Sequence, residues 1–165
     1  MIFNVRKRYR IDLREMDNEF GKWFSLSGKL MPDLIRDGRI LGRVLENALV
    51  ELFENFELSD TPEYDIVLNG IARVEVKSTT GTGGINFQPS NMIGAGRSYN
   101  YEAHKQKTEE LDYYLAIDRQ ELPIIELYCI PSEIENVSKI NTRGNMKGSF
   151  TKNEWDQHKK QFGGK

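Results

Sequence analysis

The segment 62–78, with the sequence PEYDIVLNGIARVEVKS, constrains the fold more than any other part of the chain. Runs rich in β-branched residues flank Asn69-Gly70, a dipeptide typical of a tight turn between two antiparallel strands. A two-residue turn at this dipeptide would pair Leu68 with Ile71. The segment therefore predicts a β-hairpin in the interior of a sheet.

The second strand of this hairpin carries charge on one face. Because side chains alternate along a strand, Glu75 and Lys77 share a face, while Val74 and Val76 point the other way into a core. Asp65 precedes Glu75 by ten residues. Carboxylates are hard oxygen ligands for a divalent ion, and a lysine beside them can orient or deprotonate an attacking water. These residue types together indicate a metal-dependent phosphodiesterase site.

An ordinary ion pair is the alternative interpretation of Glu75 and Lys77, and it would contribute only about 0.2–1 kcal/mol. The site is favoured because no other lysine follows an acid at this spacing, and because charge beside a buried strand is costly without a purpose. The two-residue turn would place Asp65 opposite Val74, on the wrong face for Glu75. We therefore predict a β-bulge or a strand break at residues 62–65.

With Asp65, Glu75 and Lys77 at this spacing, the chain resembles the PD-(D/E)xK nuclease superfamily, and within it the small type II restriction endonucleases. The stretches DIVLN and EVKS are similar to those of the PvuII-type branch. The resemblance covers roughly residues 41–131. In one departure from the family pattern, two residues separate the proline from Asp65, which leaves Glu63 open as the first metal ligand.

The resemblance implies an α/β fold with a restriction-endonuclease-like core, in which helices flank a central mixed β-sheet. It implies that Mg²⁺, for which Mn²⁺ can substitute, is bound by Asp65, Glu75 and the carbonyl of Val76, and that Lys77 positions the water. The expected activity is that of a type II restriction endonuclease, which cleaves double-stranded DNA at a short palindromic sequence as a homodimer. Two alternatives remain: a Holliday junction resolvase or DNA-repair nuclease of the same fold, and a non-catalytic DNA-binding protein.

A helix predicted over residues 38–56 contributes a fourth candidate, Glu46. This glutamate emerges beside the apolar stripe of the helix rather than on its polar face. The superfamily often carries a Gly-x-x-x-Glu helix whose glutamate points at the metal, and Gly42 to Glu46 match it, so the resemblance implies that Glu46 assists in metal binding and catalysis. A side chain that simply extends to water is the alternative. The predicted stripe consists of Leu45, Leu49, Leu52 and Phe56.

A long connection rich in Gly, Ser, Asn and Thr follows Lys77, and such loops are usually functional or disordered. Its polar side chains are of the types that contact base edges or phosphates. A helix is predicted over 99–110, and strands are predicted over 111–117 and 124–130. The superfamily often places a basic or amide residue of this helix near the phosphate, which adds Gln106 as a candidate, although an exposed amphipathic helix is the alternative. The predicted DNA contacts are Asn86, Gln88, Asn91, Arg97, Asn100, His104 and Lys105.

Charge is unevenly distributed along the chain, whose net charge is −2. The centre from 46 to 65 is acidic, whereas 5–10, 97–107 and 143–165 carry an excess of cations. An acidic, metal-binding centre between basic segments is the arrangement that a DNA-cleaving enzyme requires. For the C-terminal segment, a solvated basic tail is the better interpretation.

Composition argues against several other classes of protein. No apolar run approaches the ~20 residues of a membrane span, and the basic N-terminus lacks the apolar core of a signal peptide. The lone Cys129 indicates a buried thiol in a reducing cytoplasm. The glycines at 81–84 do not match a nucleotide-binding fingerprint, so no nucleotide cofactor is expected.

A length of 165 residues suits a single nuclease domain over residues 1–165, with its core at about 38–131. Helices predicted over 14–24 and 150–162 cap this core, form a dimer contact or contact the DNA.

Overall fold

Residues 1–17, 19–25, 38–93 and 96–163 are described by a computed structural model, and they form ten strands and five α-helices. The strands are β1 (Tyr9–Asp12), β2 (Phe56–Leu58), β3 (Ile66–Leu68), β4 (Ala72–Ser78), β5 (Ile85–Asn86), β6 (Tyr113–Glu121), β7 (Ile124–Pro131), β8 (Lys139–Ile140), β9 (Met146–Lys147) and β10 (Ser149–Phe150). The helices are α1 (Glu19–Ser25), α2 (Gly38–Leu52), α3 (Tyr101–Glu109), α4 (Ile134–Val137) and α5 (Lys152–His158).

A six-stranded mixed sheet lies at the centre, with the spatial order β1-β7-β6-β4-β3-β2. Strands β4 and β6 run parallel, because the long connection through α3 brings the chain back to the same end of the sheet. The other neighbouring pairs in this sheet are antiparallel. Two short ribbons, β5 with β10 and β8 with β9, lie outside it. The predicted α/β architecture, with a mixed sheet flanked by helices, is confirmed.

The two faces of the sheet bury two separate apolar cores. Along β6, Leu115 and Ile117 enter the first core together with α2, whereas Tyr114 and Ala116 enter the second. This division follows from the two-residue period of a strand. Trp155 of α5 is fully buried in the second core, where it serves as a packed aromatic side chain.

Helix α2 carries the predicted apolar stripe but ends four residues earlier than predicted. Leu45 and Leu49 are fully buried in the first core. After the helix, the Asn55 side chain fixes the chain to the N-terminal segment: its oxygen accepts a hydrogen bond from the N–H of Phe3 at 2.7 Å, and its amide donates to the Phe3 carbonyl at 3.0 Å. Phe56 therefore begins β2 instead of extending the helix, and it still reaches the first core.

The hairpin of β3 and β4 has a register that differs from the predicted one. Asn69 and Gly70 do form the turn, with φ angles of 55° and 71°. The N–H of Ile71 closes it by donating to the carbonyl of Leu68 at 3.2 Å. Leu68 nevertheless pairs with Ala72, so the predicted pairing of Leu68 with Ile71 is wrong by one residue. Ile71 is left as an extra, exposed residue at the turn.

The start of β3 carries the irregularity that the sequence predicted. Ile66 pairs with Val74, and the N–H of Asp65 also donates to the Val74 carbonyl, at 3.1 Å. Two successive residues therefore face one residue of the partner strand, which is the arrangement of a β-bulge. Ile66 and Val74 are both buried, so the observed register keeps apolar side chains in the core while Asp65 reaches the carboxyl end of β4.

The terminal helices are shorter than predicted. The segment 14–24 contains part of a 3-10 turn at Leu13–Glu15 and most of α1, and α5 covers only the middle of 150–162. Cys129 is buried in the first core, and burial raises the pKa of its thiol to about 12, as expected of a structural cysteine. Within the described part of the chain, no helix is both long enough and apolar enough to cross a bilayer.

Candidate active site

The carboxyl end of β4 lies at a gap in the sheet, because β3 pairs with no residue of β4 beyond Val74. The N–H of Val76 therefore has no carbonyl of β3 as a partner. The carboxylate of Asp65 takes the place of that carbonyl as the hydrogen-bond acceptor. Asp65 Oδ2 accepts the Val76 N–H at 2.7 Å. This bond holds Asp65 beside the segment that carries Glu75 and Lys77.

Glu75 and Lys77 lie side by side, as their alternation along β4 predicts. Lys77 Nζ donates to Glu75 Oε1 at 2.7 Å, and each side chain is only 15% exposed. The other carboxylate oxygen, Oε2, lies 3.9 Å from Nζ of Lys107 in α3. Glu75 is therefore flanked by two cations in a largely buried position.

Glu46 of α2 is a third carboxylate of the same site. Burial, followed by the negative charges of Asp65 and Glu75, raises the pKa of Glu46 to about 7. Gly42 lies one turn earlier, but a Cβ there would be 3.8 Å from Glu46 Oε1, which is an ordinary contact. Space beside Glu46 is therefore not the reason for a glycine at this position.

The pKa of Asp65 is raised for the same two reasons, burial first and the charge of Glu75 second. The hydrogen bond from Val76 and the cations Lys77 and Lys107 oppose this shift without cancelling it. Raised pKa values at two neighbouring carboxylates indicate a site that is short of positive charge.

These residues fit a divalent cation in charge and in chemistry, since carboxylate and carbonyl oxygens are the ligands that Mg²⁺ prefers. Among residues 1–17, 19–25, 38–93 and 96–163, no three Asp, Glu, His or Cys side chains are close enough together to hold a metal ion. Two of the carboxylate oxygens are instead bonded to Lys77 and to the Val76 N–H. Binding of a cation by three of these carboxylates therefore requires their side chains to move closer together.

Asp65, rather than Glu63, is the acid placed for this role. The side chain of Glu63 is exposed, and Glu63 does not line the cleft that contains Asp65. Only the backbone carbonyl of Glu63 takes part in the site, because it accepts a hydrogen bond from Lys107.

An open cleft of about 1520 Å³ connects the carboxylates with the loop that follows β4. Glu46, Asp65 and Glu75 line it together with three cations. The cleft is open to solvent and lined largely by charged and polar side chains. Among the described residues, its cations are Arg43, Lys77 and Lys107, and its polar side chains include Asn47, Ser59, Thr61, Thr80, Asn86 and Asn91.

Four predicted DNA contacts lie on the loop or at the start of α3. Asn86 and Asn91 line the cleft, and Asn86 Oδ1 accepts the N–H of Gln88 at 2.9 Å, which leaves the Asn86 amide nitrogen for a ligand. Arg97 is exposed, and its guanidinium donates to two carbonyls of the same loop, at 2.8 and 3.1 Å. Asn100 caps α3 by accepting the N–H of residue 103 at 3.0 Å, so its side-chain oxygen has a structural role.

The other predicted contacts divide into buried and exposed side chains. Gln88 and His104 are buried, and both pack against Gly148. In this structure neither is available to DNA, which corrects the interpretation drawn from their residue types alone. Lys105 and Gln106 are exposed on α3, and neither lines the cleft.

Sequence reasoning missed Lys107 as a cleft residue. It follows the buried His104 by three positions, so it lies on the inward side of α3, whereas Lys105 and Gln106 point outward. No sequence signal identifies Lys107, because the buried face of the helix is marked by two polar residues, His104 and Thr108.

A buried polar layer lies beneath Glu75 and Lys77. The Tyr99 hydroxyl is 3.0 Å from His104 Nδ1, and burial together with the charge of Lys77 lowers the pKa of His104 to about 4. Tyr114 pairs in register with Glu75, and burial raises the pKa of its hydroxyl. His104 Nε2 and the Tyr114 hydroxyl have no hydrogen-bond partner among the described residues. The groups beneath the ion pair are therefore polar but uncharged near neutral pH.

Comparison with known proteins adds no independent assignment to this cleft. Neither the models of known protein families nor the sequences of curated proteins give a match to this chain. The likeness to the PD-(D/E)xK superfamily stays a prediction from Asp65, Glu75 and Lys77.

Proposed function

We propose that this protein is a Mg²⁺-dependent endodeoxyribonuclease. The observation that supports it is the convergence of Glu46, Asp65 and Glu75, with Lys77, on one open cleft at the end of β4. Burial and mutual repulsion raise the pKa values of Glu46 and Asp65, so the cleft gains most from a ligand that brings positive charge. A divalent cation with a phosphodiester supplies that charge and a substrate together.

In this proposal each side chain has a separate task. Asp65, Glu75 and the carbonyl of Val76 would hold Mg²⁺, with Glu46 as an assisting carboxylate. When bound, Mg²⁺ would act as a Lewis acid on the phosphate and favour ionisation of water. Lys77, freed from its bond to Glu75, would orient the attacking water or take its proton. Lys107 would place a second cation beside the phosphate.

The finer assignment rests on the resemblance alone. A type II restriction endonuclease that cuts short palindromic sites as a homodimer would use one such cleft per strand. The cytoplasm is the compartment that this activity requires. A junction resolvase or repair nuclease would use the same cleft on branched or damaged DNA.

A non-catalytic DNA-binding protein is the second candidate, and one observation favours it. Lys77 and Glu75 form a direct 2.7 Å ion pair, which needs no metal. In this alternative, the pair would only balance charge at the end of β4, and the purified protein would have no affinity for Mg²⁺.

DNA cleavage assays separate these possibilities. Purified protein is incubated with unmethylated phage or plasmid duplex, in Mg²⁺ and in EDTA, beside Lys77→Ala and Asp65→Asn. Glu51→Gln, which changes an exposed carboxylate of the same helix, is the matched control. We expect discrete bands that require Mg²⁺, disappear in both site variants and persist in the control. A smear would indicate a nonspecific nuclease, and cutting confined to a cruciform would indicate a resolvase. No cleavage of any of these substrates would refute the proposal.

A further inference from the structure

A basic ribbon, residues 138–148, lies outside the proposed site and has no role in it. Its strands β8 and β9 pair antiparallel, with Lys139 opposite Lys147. The ribbon contains three cations and no acid, in a chain whose net charge is −2. It is therefore a local concentration of positive charge, well above the average of the chain.

The tip of the basic ribbon is held in one conformation by its own hydrogen bonds. Asn141 Oδ1 accepts the N–H groups of Arg143 and Asn145, at 2.9 and 3.0 Å. The Asn141 backbone bonds Asn145 and Gly144, each at 2.9 Å. Gly144 has a φ of 77°, which a glycine adopts without strain. A fixed tip presents its side chains to a partner with little entropic cost of ordering the backbone.

The outer cations of the basic ribbon carry charge that no carboxylate of the described residues balances. Arg143 and Lys147 are exposed, and neither forms an ion pair with a described residue. Arg10 and Arg14, by comparison, are each paired with a carboxylate. Ile140, which is 69% exposed, adds an apolar side chain to the same ribbon as Arg143 and Lys147. Unpaired cations beside an exposed apolar group are suited to a polyanion with apolar features.

The base of the basic ribbon is attached to the wall of the proposed active cleft. Ser149, the residue after the ribbon, pairs with Asn86, which lines the cleft. The N–H of Phe87 donates to the Gly148 carbonyl at 2.8 Å. Lys139 is anchored separately, by an ion pair with Glu154. The ribbon is thus fixed to the cleft at one end and leaves its tip exposed.

We infer that the basic ribbon is a DNA-binding element that contacts the major groove and flanking phosphates of a duplex held in the cleft. This inference rests on the proposed function. The major groove of B-form DNA admits a two-stranded β-ribbon, and arginine is suited to bidentate contacts with guanine or phosphate. Arg143 and Lys147 supply the charge, and Asn145 supplies a side chain able to contact base edges.

Duplex binding over a series of salt concentrations tests the role of the basic ribbon. A fluorescent 30-base-pair DNA duplex of mixed sequence is titrated, without divalent metal, with wild-type protein and with the double variant Arg143→Ala/Lys147→Ala. The matched control is Arg6→Ala/Lys7→Ala, which also removes two exposed cations that have no ion pair in the described structure. Thermal unfolding of each variant shows whether the fold is kept. Lysine acetylation, followed by mass spectrometry, provides a second readout on the wild-type protein.

If the basic ribbon binds the major groove, each measurement has its own expected result. The ribbon variant should lower the slope of log K against log salt by roughly 2, since each phosphate contact contributes about 0.9. The control should lower it less. Duplex DNA should protect Lys147 from acetylation more than Lys7. An A-form RNA duplex should protect Lys147 less, because its major groove is too narrow for a ribbon.

Results that overturn the inference differ from those that overturn the nuclease proposal. Equal effects of the ribbon and control variants, equal protection of Lys147 by RNA and DNA, or no duplex binding by the wild type would each refute the role of the ribbon. Mg²⁺-dependent cleavage by the same preparations is recorded in parallel. Cleavage that persists unchanged in the ribbon variant would support the nuclease proposal and show that the ribbon has no part in that activity. DNA binding that depends on the ribbon, without cleavage by any preparation, would support the role of the ribbon and refute the nuclease proposal.

Discussion

The carboxylate of Asp65 and the backbone N–H of Val76 form a 2.7 Å hydrogen bond where β3 no longer pairs with β4. One side chain thereby replaces the missing strand and brings negative charge to the cleft. These two contributions can be separated by substitution, because asparagine keeps an oxygen acceptor without the charge.

Asp65→Asn and Asp65→Ala should therefore differ in stability but not in activity. Both should lose Mg²⁺-dependent cleavage, because the metal ligand is removed. Asp65→Ala should lower the free energy of unfolding by about 1–3 kcal/mol, the cost of an unpaired, partly buried N–H. Asp65→Asn should stay close to the wild type. Urea denaturation in EDTA measures the difference, and equal stability of the two variants would show that the bond to Val76 contributes nothing.

Glu46 should make the stability of the metal-free protein depend on pH. Its pKa is about 7 in the fold, against an ordinary value of 4.5. A raised pKa in the folded state means that the contribution of Glu46 is complete below pH 4.5 and is lost as the pH rises through 7. Glu46→Gln should therefore gain about 1–2 kcal/mol relative to wild type between pH 5 and pH 8, the linkage value reduced for partial exposure. Denaturation in EDTA at both pH values measures it, and Glu51→Gln should show no comparable change.

Mg²⁺ should stabilise the wild-type protein against heat, because a ligand that binds only the folded state shifts unfolding by mass action. At a concentration 100 times the Kd, the gain is about 2.7 kcal/mol. The shift in Tm should be larger at pH 8 than at pH 6, since Glu46 must lose its proton to assist. Glu75→Gln should abolish the shift. A Tm that does not change on addition of Mg²⁺ at either pH value would favour the non-catalytic alternative.

Lys107 and Lys105 provide a matched pair on one helix. Lys107 Nζ lies 3.9 Å from Glu75, whereas Lys105 is exposed outside the cleft. Lys107→Ala should lower the rate of DNA cleavage by roughly 10-fold or more, as expected for loss of a charged group near the reacting phosphate. Lys105→Ala should have a smaller effect. Single-turnover cleavage rates of the two variants measure this difference. A larger loss of rate in Lys105→Ala than in Lys107→Ala would show that Lys105 is the lysine that acts near the phosphate.

Glu154 should contribute to stability only above strongly acidic pH. Hydrogen bonds from Lys139 and from Thr151 lower the pKa of Glu154 to about 2. A lowered pKa in the folded state gives stability that is present above pH 4.5 and is lost as the pH falls toward 2. Glu154→Gln should flatten the acid decline in stability between pH 5 and 2, by less than about 1 kcal/mol because the carboxylate is largely exposed. Denaturation at pH 5, 3.5 and 2 tests this, and parallel curves for the two proteins would contradict it.

The sequence predicted the parts of the site that depend on local periodicity. Alternation along β4 places Glu75 beside Lys77, and helical spacing places Glu46 next to the buried stripe of α2. The bulge before β3 was predicted for a reason that does not hold, because it assumed the pairing of Leu68 with Ile71; in the observed register Asp65 would fall opposite Glu75 without a bulge. Each of these depends on residues that are near in sequence or joined by one turn.

Contacts between distant segments could not be predicted in this way. Strand β5 pairs with β10, more than sixty residues later. This pairing brings Gly148, the residue before β10, against the buried side chains of Gln88 and His104. No periodicity within the loop after β4 signals that pairing, so polar residue types alone suggested DNA contacts there. The same limit applies to Lys107, whose position depends on how α3 packs on the sheet.

A Cβ added at Gly148 would lie 2.7 Å from His104 Cε1 and 3.0 Å from Gln88 Cγ. His104 is buried on α3, one turn before Lys107, so the helix has no space into which it could yield. A side chain at position 148 would therefore displace His104 or Gln88. Gly148 thus lets the end of the basic ribbon lie against the helix that contributes Lys107 to the cleft, so a larger residue at this position would disturb both parts of the molecule.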